Sequence, residues 1–290
     1  MRNRFMPRTL VIAFLVLLGC GEWVDAPVGR VSCSFRGSFF DLFFEDWLPA
    51  GRKPVKFAAG NNGNILYILD NSSGVHSYRR DNLYDCTFEF ERSHDFIRRL
   101  DDVFYATNGF YVQEGQSLKF MDESEACYAS DGVFAINRNE LGVGGNLRIE
   151  TWSIATRPCV RGPTIASQRI LALGSANGEY YAAEGDAFAT EPANLTFYRN
   201  RTLIRREPLS TLPGNEKNFC SADRITANNH GIYLLDKKCG KIGVFHNDAV
   251  WRKTIRLDSL GIRNPLDITA AEHSYIFILH DRGVDRVNVF

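Results

Sequence analysis

The residues of this sequence that could do chemistry are six histidines, seven cysteines and a series of asparagines in turn-like positions. His230 and His273 occupy equivalent places in two similar segments, so they are the histidine pair most suited to a shared site. A catalytic zinc site usually keeps three protein ligands. Two imidazoles without a third ligand favour turn or surface histidines, and the sequence therefore predicts no metal ligand.

Asparagines recur between apolar runs, at Asn62, Asn108, Asn139, Asn177 and Asn229. Calcium accepts oxygen ligands, but its sites normally include carboxylates, and these turns offer mostly amides without a carboxylate partner. Asparagine also tolerates the positive φ of tight turns. We interpret these residues as turn formers, and the candidates for a site are Asn62, Asn108, Asn177, Asn229, His230 and His273.

Short catalytic motifs are absent from the sequence. There is no Gly-x-Ser-x-Gly elbow, no Walker phosphate-binding loop and no His-Glu-x-x-His pair. Ser93-His94-Asp95 contains the residue types of a triad, but triad members meet through the fold and not as sequence neighbours. We therefore predict no catalytic residue and no cofactor.

Composition and charge limit the classes of protein that fit. The 290 residues include 34 Lys and Arg against 34 Asp and Glu, and 44% are apolar. This is not the polar, highly charged composition of a disordered chain. A balanced charge also argues against a polybasic protein that binds nucleic acid. The sequence predicts a folded chain with no nucleic-acid partner.

The first residues have the layout of an export signal. Three arginines precede an uncharged apolar run over residues 10–18, which is about half of the ~20 residues that a membrane span needs. The run ends in Leu17-Leu18-Gly19-Cys20, which resembles the lipobox of bacterial lipoproteins. A general signal peptide or a retained membrane anchor is the alternative.

The lipobox resemblance implies a boundary at Cys20. Residues 1–19 would be a signal peptide, Cys20 would carry lipid and insert it in the membrane, and residues 20–32 would tether the domain over residues 33–290. Gly21 in place of Asp favours the outer membrane in a Gram-negative host. Without residues 1–19 the chain has 31 positive and 34 negative groups, which again disfavours steering toward nucleic acid.

Six cysteines remain for the folded domain. An even number in an exported chain is typical of disulfides, although six cysteines allow 15 pairings. Free buried thiols are one alternative, and metal binding or catalysis is another, but no pair has Cys-x-x-Cys spacing. These cysteines are Cys33, Cys86, Cys127, Cys159, Cys220 and Cys239.

A turn between two apolar runs recurs six times along the chain. Asn-Gly, which favours tight hairpins because both residues tolerate positive φ, stands at Asn62-Gly63, Asn108-Gly109 and Asn177-Gly178. Each copy therefore predicts a strand, a turn and a strand. The copies cover residues 57–70, 103–112, 133–143, 170–182, 225–236 and 268–279.

A third strand that ends in an aromatic residue follows each hairpin. These ends are Tyr78, Phe120, Trp152, Tyr198, Phe245 and Phe290, and they are 32 to 47 residues apart. Several short strands in each repeat of about 40 residues are typical of the blades of a β-propeller. The sequence predicts an all-β fold with six blades. An unclosed β-sandwich is the alternative.

The last copy ends on its third strand, so we expect another segment to complete it. Residues 33–47 precede the first hairpin, and their opening resembles the outer-strand stretch 86–90. We predict that this N-terminal strand closes the last blade, because a closed ring leaves no exposed strand edge.

Two segments near the C-terminus resemble the blades of the NHL-type six-bladed β-propeller superfamily. Arg224-Ile-Thr-Ala and Lys241-Ile-Gly-Val-Phe245 lie in one, and Asp267-Ile-Thr-Ala lies in the other. With that topology Cys220 and Cys239 lie in loops on one face, which implies a disulfide between them.

The anchor, the closed scaffold and the lack of a convergent ionisable cluster favour a lipid-anchored, non-catalytic module of the cell envelope that binds a protein, a peptide or a glycan. The alternative is a metal-dependent hydrolase, lactonase or lyase with calcium or zinc in the propeller channel. A quinone-dependent sugar dehydrogenase would need a basic funnel, and the sequence gives no sign of such a convergence.

Overall fold

A computed structural model describes residues 28–34, 48, 51–60, 65–72, 74–79, 85–89, 97–100, 103–106, 109–114, 117–121, 133–137, 140–145, 147–153, 160–186, 188, 190–212, 219–270 and 275–289. The predicted signal peptide and Cys20 lie outside the described residues. The described part of the chain contains no helix long and apolar enough to cross a membrane.

The described residues form 24 β-strands and no α-helix, which confirms the all-β prediction. The strands of the N-terminal part are β1 (Val28–Ser34), β2 (Pro54–Gly60), β3 (Ile65–Asp70), β4 (Gly74–Arg79), β5 (Asp85–Glu89), β6 (Ile97–Leu100), β7 (Val103–Ala106), β8 (Gly109–Glu114) and β9 (Ser117–Met121). The middle part has β10 (Val133–Asn137), β11 (Glu140–Gly144), β12 (Arg148–Ser153), β13 (Val160–Ala166), β14 (Arg169–Ala176), β15 (Glu179–Gly185), β16 (Asn194–Arg199) and β17 (Thr202–Pro208). The C-terminal part has β18 (Arg224–Asn228), β19 (Gly231–Asp236), β20 (Lys241–Phe245), β21 (Trp251–Arg256), β22 (Pro265–Ala270), β23 (Tyr275–His280) and β24 (Gly283–Asn288).

These strands form small antiparallel sheets in which neighbours in sequence pair with each other. β10 to β13, β14 to β17 and β18 to β21 each make a four-stranded sheet, and β22 to β24 make a three-stranded one. In the nine-stranded sheet, β2 to β5 and β6 to β9 are two such sets on either side of β1. The described strands other than β1 thus fall into six sets, whose members we call first to fourth strand in chain order.

First strands of different sets pack side by side. β2 contacts both β6 and β22, β18 contacts β22 and β14, and β14 contacts β10. The last set therefore lies against the first set. This arrangement gives every set two ends. The connection from first to second strand lies at one, called here the hairpin end. The connection from second to third strand lies at the other end of the set, together with the start of the first strand. We call this second end the entry end.

The apolar core lies between the faces of neighbouring sheets. Tyr181 and Phe197 of one sheet, whose ring centroids are 5.3 Å apart, pack in one cluster with Ile225 and Ile232 of the next. All six residues of β19 are buried, as expected for a strand covered on both sides. Small residues permit this approach, since a Cβ at Gly174 would lie 3.0 Å from the carbonyl oxygen of Ile225.

Of the predicted closing segment, residues 33–47, the structure describes only Cys33 and Ser34, which end β1, so closure of the last blade by this segment stays a prediction. β1 pairs antiparallel with β5 and with β9, between the outer strands of the first two sets, and its described residues do not join the last sheet. The stretch at 86–90, which its sequence resembles, lies mostly in β5, and β5 is the strand with which β1 pairs. Alternating strands of one composition fit many edges equally well, so sequence could not select the edge.

The pairing of β1 with β5 also places two cysteines opposite each other. Cys33 is the register partner of Cys86. Directly opposed residues in an antiparallel pair have Cα atoms about 4.5 to 5.5 Å apart, which lies within the range of about 4.4 to 6.8 Å found for disulfides.

We therefore predict a Cys33–Cys86 disulfide in the protein under oxidising conditions. Peptide mapping by mass spectrometry without reduction should find these two cysteines in one linked pair of peptides, and reduction should separate them. Alkylation of both as free thiols before reduction, or linkage of either to another cysteine, would contradict the register.

Candidate functional site

The predicted turn residues that the structure describes lie at the hairpin end and are exposed. Asn177 and Gly178 have φ values of 54° and 89° and join β14 to β15 as the predicted tight hairpin. Asn229 accepts a bond from Asn247 Nδ2 at 2.8 Å through its main-chain oxygen. His230 donates its backbone N–H to Asn228 Oδ1 at 2.9 Å. Asn62, Asn108, Asn139 and His273 lie outside the described residues.

Asn228, which the sequence interpretation passed over, organises the hairpin of β18 and β19. Its buried side-chain oxygen also accepts bonds from the Gly231 N–H at 3.2 Å and the Tyr233 hydroxyl at 3.3 Å. The side chain is therefore committed to holding the turn. The signal was present in the triplet Asn228-Asn229-His230, but two adjacent asparagines cannot be told apart by their turn preference.

The second copy of the repeat is out of phase with the others. The strands on either side of position 108 are β7 and β8, which are the second and third strands of their set. The turn at Asn108 therefore belongs to the entry end, whereas Asn177 and Asn229 belong to the hairpin end. Asn-Gly favours a tight turn between any two strands, so it could not show which pair of strands it joins.

In four sets a charged or polar residue stands at the entry end of the second strand, as its last or second-last residue. These residues are Asp70, Glu184, Asp236 and His280, and each lies next to the start of a third strand. Asp70, Glu184 and Asp236 are almost completely buried. A buried carboxylate is stable only when hydrogen bonds or opposite charges compensate it, and each of these three has such partners.

Asp236 holds two loops together. Its carboxylate accepts the backbone N–H of Cys220 at 2.7 Å and of Cys239 at 2.9 Å, and the Ser221 hydroxyl at 2.9 Å. The expected disulfide is present, joining Cys220 to Cys239 with Cα atoms 5.7 Å apart. Both sulfurs lie near the Asp236 carboxylate, but sulfurs joined in a disulfide are not the thiolates that bind zinc, so the arrangement is a loop clasp.

Asp70 plays the same part in the first set. Its Oδ2 atom lies 2.8 Å from Arg52 Nη1 and 2.8 Å from Nε2 of the buried His76. Its Oδ1 atom accepts the Ser72 backbone N–H at 2.7 Å. His76 is thus a structural histidine in the first set, paired through its ring with the strand-ending carboxylate.

A charged cluster lies one step inside this layer, on three adjacent first strands. Lys56 pairs in register with Leu69, Arg224 with Leu235, and Asp267 with Leu279. Each of these leucines precedes the strand-ending residue of its set, so Lys56, Arg224 and Asp267 occupy equivalent positions. Because β22 packs between β2 and β18, Asp267 lies between the two cations. We call these three residues the entry-end cluster.

Electrostatics connects the members of the cluster. Arg224 Nε lies 3.5 Å from Asp267 Oδ1, with 11% and 1% of the two side chains exposed. Burial lowers the pKa of Lys56, and the charges of Arg224 and Lys237 lower it further, against the raising effect of Asp267 and Asp223. Burial also lowers the pKa of Arg224, against the charge of Asp267. The cluster can therefore hold negative charge.

Lys56 and Arg224 lie on the two first strands that flank β22, although they are far apart in sequence, and neither belongs to a basic run. The signal that could have found them is the residue immediately before the triplets Phe-Ala-Ala at 57–59 and Ile-Thr-Ala at 225–227 and 268–270. When the three segments are aligned on these triplets, that position is Lys56, Arg224 and Asp267.

No family model matches the chain, and no curated protein matches it in sequence. Solved structures match it in fold. PorZ of Porphyromonas gingivalis, described as an essential bacterial surface component of the type-IX secretion system, is similar with a TM-score of 0.51 and 13% identity, over 84% of this chain and 38% of that chain. Hsv2 of Kluyveromyces lactis is similar with a TM-score of 0.48 and 13% identity, over 83% and 75%. The likeness to PorZ shows the fold alone, which is all-β, made of small antiparallel sheets and β-propeller-like.

The Asp236 clasp predicts a specific loss of stability. Asp236→Asn places an amide donor where three donors converge, and should lower the free energy of unfolding by about 1 to 3 kcal/mol, the cost of leaving a buried polar group unsatisfied. Urea unfolding of the oxidised protein measures this. Asp258→Asn is the matched control, because Asp258 is exposed with 69% of its side chain accessible. Equal effects of the two changes would show that Asp236 does not hold the loops.

Proposed function

We propose that the protein is a lipid-anchored, six-bladed β-propeller of the cell envelope that binds a protein, a peptide or a glycan without catalysing a reaction. Support for six blades comes from the six strand sets and the packing of their first strands. Support for the anchor comes from the apolar run and the lipobox-like stretch that ends at Cys20. The envelope location rests on this sequence and not on the likeness to PorZ.

The observation that carries the binding role is how the ionisable groups at the entry end are used. The buried Asp70 and Asp236 carboxylates accept backbone N–H groups of the loops around them. A disulfide fixes the Cys220 and Cys239 loops to each other. Loops held in advance lose little conformational freedom when a partner binds, and such preorganisation strengthens binding.

An exposed aromatic residue lies at the same end of the sheets. Phe188 lies in the connection from β15 to β16, and 95% of its surface is exposed. Large aromatic side chains often supply a disproportionate share of binding energy at protein interfaces. Phe188 is therefore the residue we select to test the binding face.

The anchor predicts a difference between the native chain and one variant. Expressed in a Gram-negative bacterium, the native chain should incorporate labelled fatty acid and sediment with membranes. Cys20→Ser should abolish the label, because the lipid needs the Cys20 thiol. Labelling of the variant, or an unlabelled native chain, would overturn the lipoprotein part of the proposal and leave the binding part open.

The binding role is tested on the native protein extracted in mild detergent. Chemical cross-linking and mass spectrometry should find a reproducible partner whose yield falls at least about tenfold in Phe188→Ser, the loss expected when a central contact residue is removed. Ile204→Ser is the control, because Ile204 is also exposed, at 51%, but lies on the outer strand β17.

Elemental analysis of the same sample tests the enzyme alternative. A stoichiometric calcium or zinc ion with no partner would overturn the proposal in favour of a metal-dependent hydrolase, lactonase or lyase. Equal loss of the partner in both serine variants would show that the entry end is not the binding face.

A further inference from the structure

The entry-end cluster has a use beyond holding strands together. We propose that Lys56 and Arg224, with Asp267 between them, form a binding site for an oxyanion group, either a carboxylate or a phosphate. The inference deepens the proposed binding role, on which it rests for its biological meaning, by naming the chemistry of the group that is bound.

The first argument is the position of the three residues. They occupy register-equivalent places on β2, β18 and β22, the first strands of three sets that pack side by side. First strands are held by neighbours on both sides, so the two cations are fixed in relation to each other. Fixed donors favour an anion that accepts from both, because no rearrangement is needed on binding.

The second argument is the balance of charge. The groups that act on Lys56 are Asp267 and Asp223, which are negative, and Arg224 and Lys237, which are positive. With Lys56 itself these groups carry three positive and two negative charges. Asp223 is also committed elsewhere, since its Oδ2 atom accepts the Lys237 backbone N–H at 2.9 Å. Within this set of five groups, positive charge exceeds negative charge by one.

The third argument is access combined with burial. Lys56 is half-buried, and Arg224 keeps 11% of its side chain exposed although its Nε atom is buried. Their surroundings are nevertheless dry enough that burial is the largest cause lowering the pKa of each. An anion that binds there interacts through a lower effective dielectric constant than at an open surface, which strengthens its attraction to both cations.

Arginine and lysine supply complementary donors for such a group. The guanidinium presents several N–H groups in one plane and the ammonium presents three N–H groups around one atom. Hydrogen bonds from charged donors to an oxyanion are shorter and stronger than neutral ones. Asp267 holds the Arg224 side chain and limits the site to one bound negative charge, because it repels a second.

The experiment measures protection of the Lys56 amine in the full-length lipoprotein, kept in a non-ionic detergent. Lysines are reductively methylated, and the rate at each is measured by mass spectrometry while inorganic phosphate, or separately acetate, is titrated in at constant ionic strength set with chloride. We expect saturable slowing at Lys56 and none at Lys53, an exposed lysine three residues earlier. The phosphate and acetate arms decide which oxyanion is preferred.

Two variants with opposite expected effects separate binding from a purely structural role. Arg224→Gln should raise the half-saturating anion concentration about tenfold or more, the usual effect of losing a charged hydrogen bond. Asp267→Asn should lower it, because the competing negative charge is gone. Arg256→Gln, on an exposed side chain at 73%, is the control and should leave it unchanged.

The outcomes are distinguishable from those of the proposed function. No protection by either anion, equal protection at Lys53, or shifts of the same sign in both variants would overturn the oxyanion site, whatever the partner analysis finds. Saturable protection with opposite shifts would establish the site even if no protein partner is captured. If Arg224→Gln fails to fold, the Asp267→Asn titration still decides the question.

Discussion

The inner strands β15, β19 and β20 are covered on both faces, and this constraint shapes the other features. Apolar residues fill the spaces between neighbouring sheets, so first strands approach closely and leave room only for small residues such as Gly174 at the contact with Ile225. A charge placed on a first strand is therefore removed from most of the solvent. Such a charge raises the free energy of the fold unless partners compensate it.

The protein meets this constraint differently at its two ends. At the hairpin end, neutral amides such as Asn228 satisfy the turns, and the side chains beyond them are exposed. At the entry end, buried carboxylates close the second strands and draw loop N–H groups to them. One step further in, Asp267 and Asp223 raise the pKa of Lys56 against the effect of burial, and Asp267 does the same for Arg224. Asp223 also accepts the Lys237 backbone N–H, so this carboxylate acts both on a loop and on the cluster.

How much could be predicted from the sequence depends on whether a feature is local. The Asn177-Gly178 hairpin follows from two residues that tolerate positive φ, and the all-β class follows from a short repeat. The phase of the second copy and the edge chosen by β1 depend on which strands meet, and strands of similar composition do not specify that. The entry-end cluster was missed because its three members meet through packing between sets and not through spacing along the chain.

The two ends differ in what they can offer to a partner. A turn built on a neutral amide presents backbone and short polar side chains, which give little discrimination between partners. The entry end presents two loops joined by a disulfide and an exposed aromatic side chain at Phe188. It also holds two cations of lowered pKa, Lys56 and Arg224, on first strands. Apolar area and charge complementarity together give specificity that neither gives alone, because a partner that matches only one of them leaves the other desolvated and unpaired. Under the proposed binding role, recognition is therefore expected at the entry end. There Asp223 both accepts a loop N–H group and stabilises the charge of Lys56, one of the basic residues that a partner would meet.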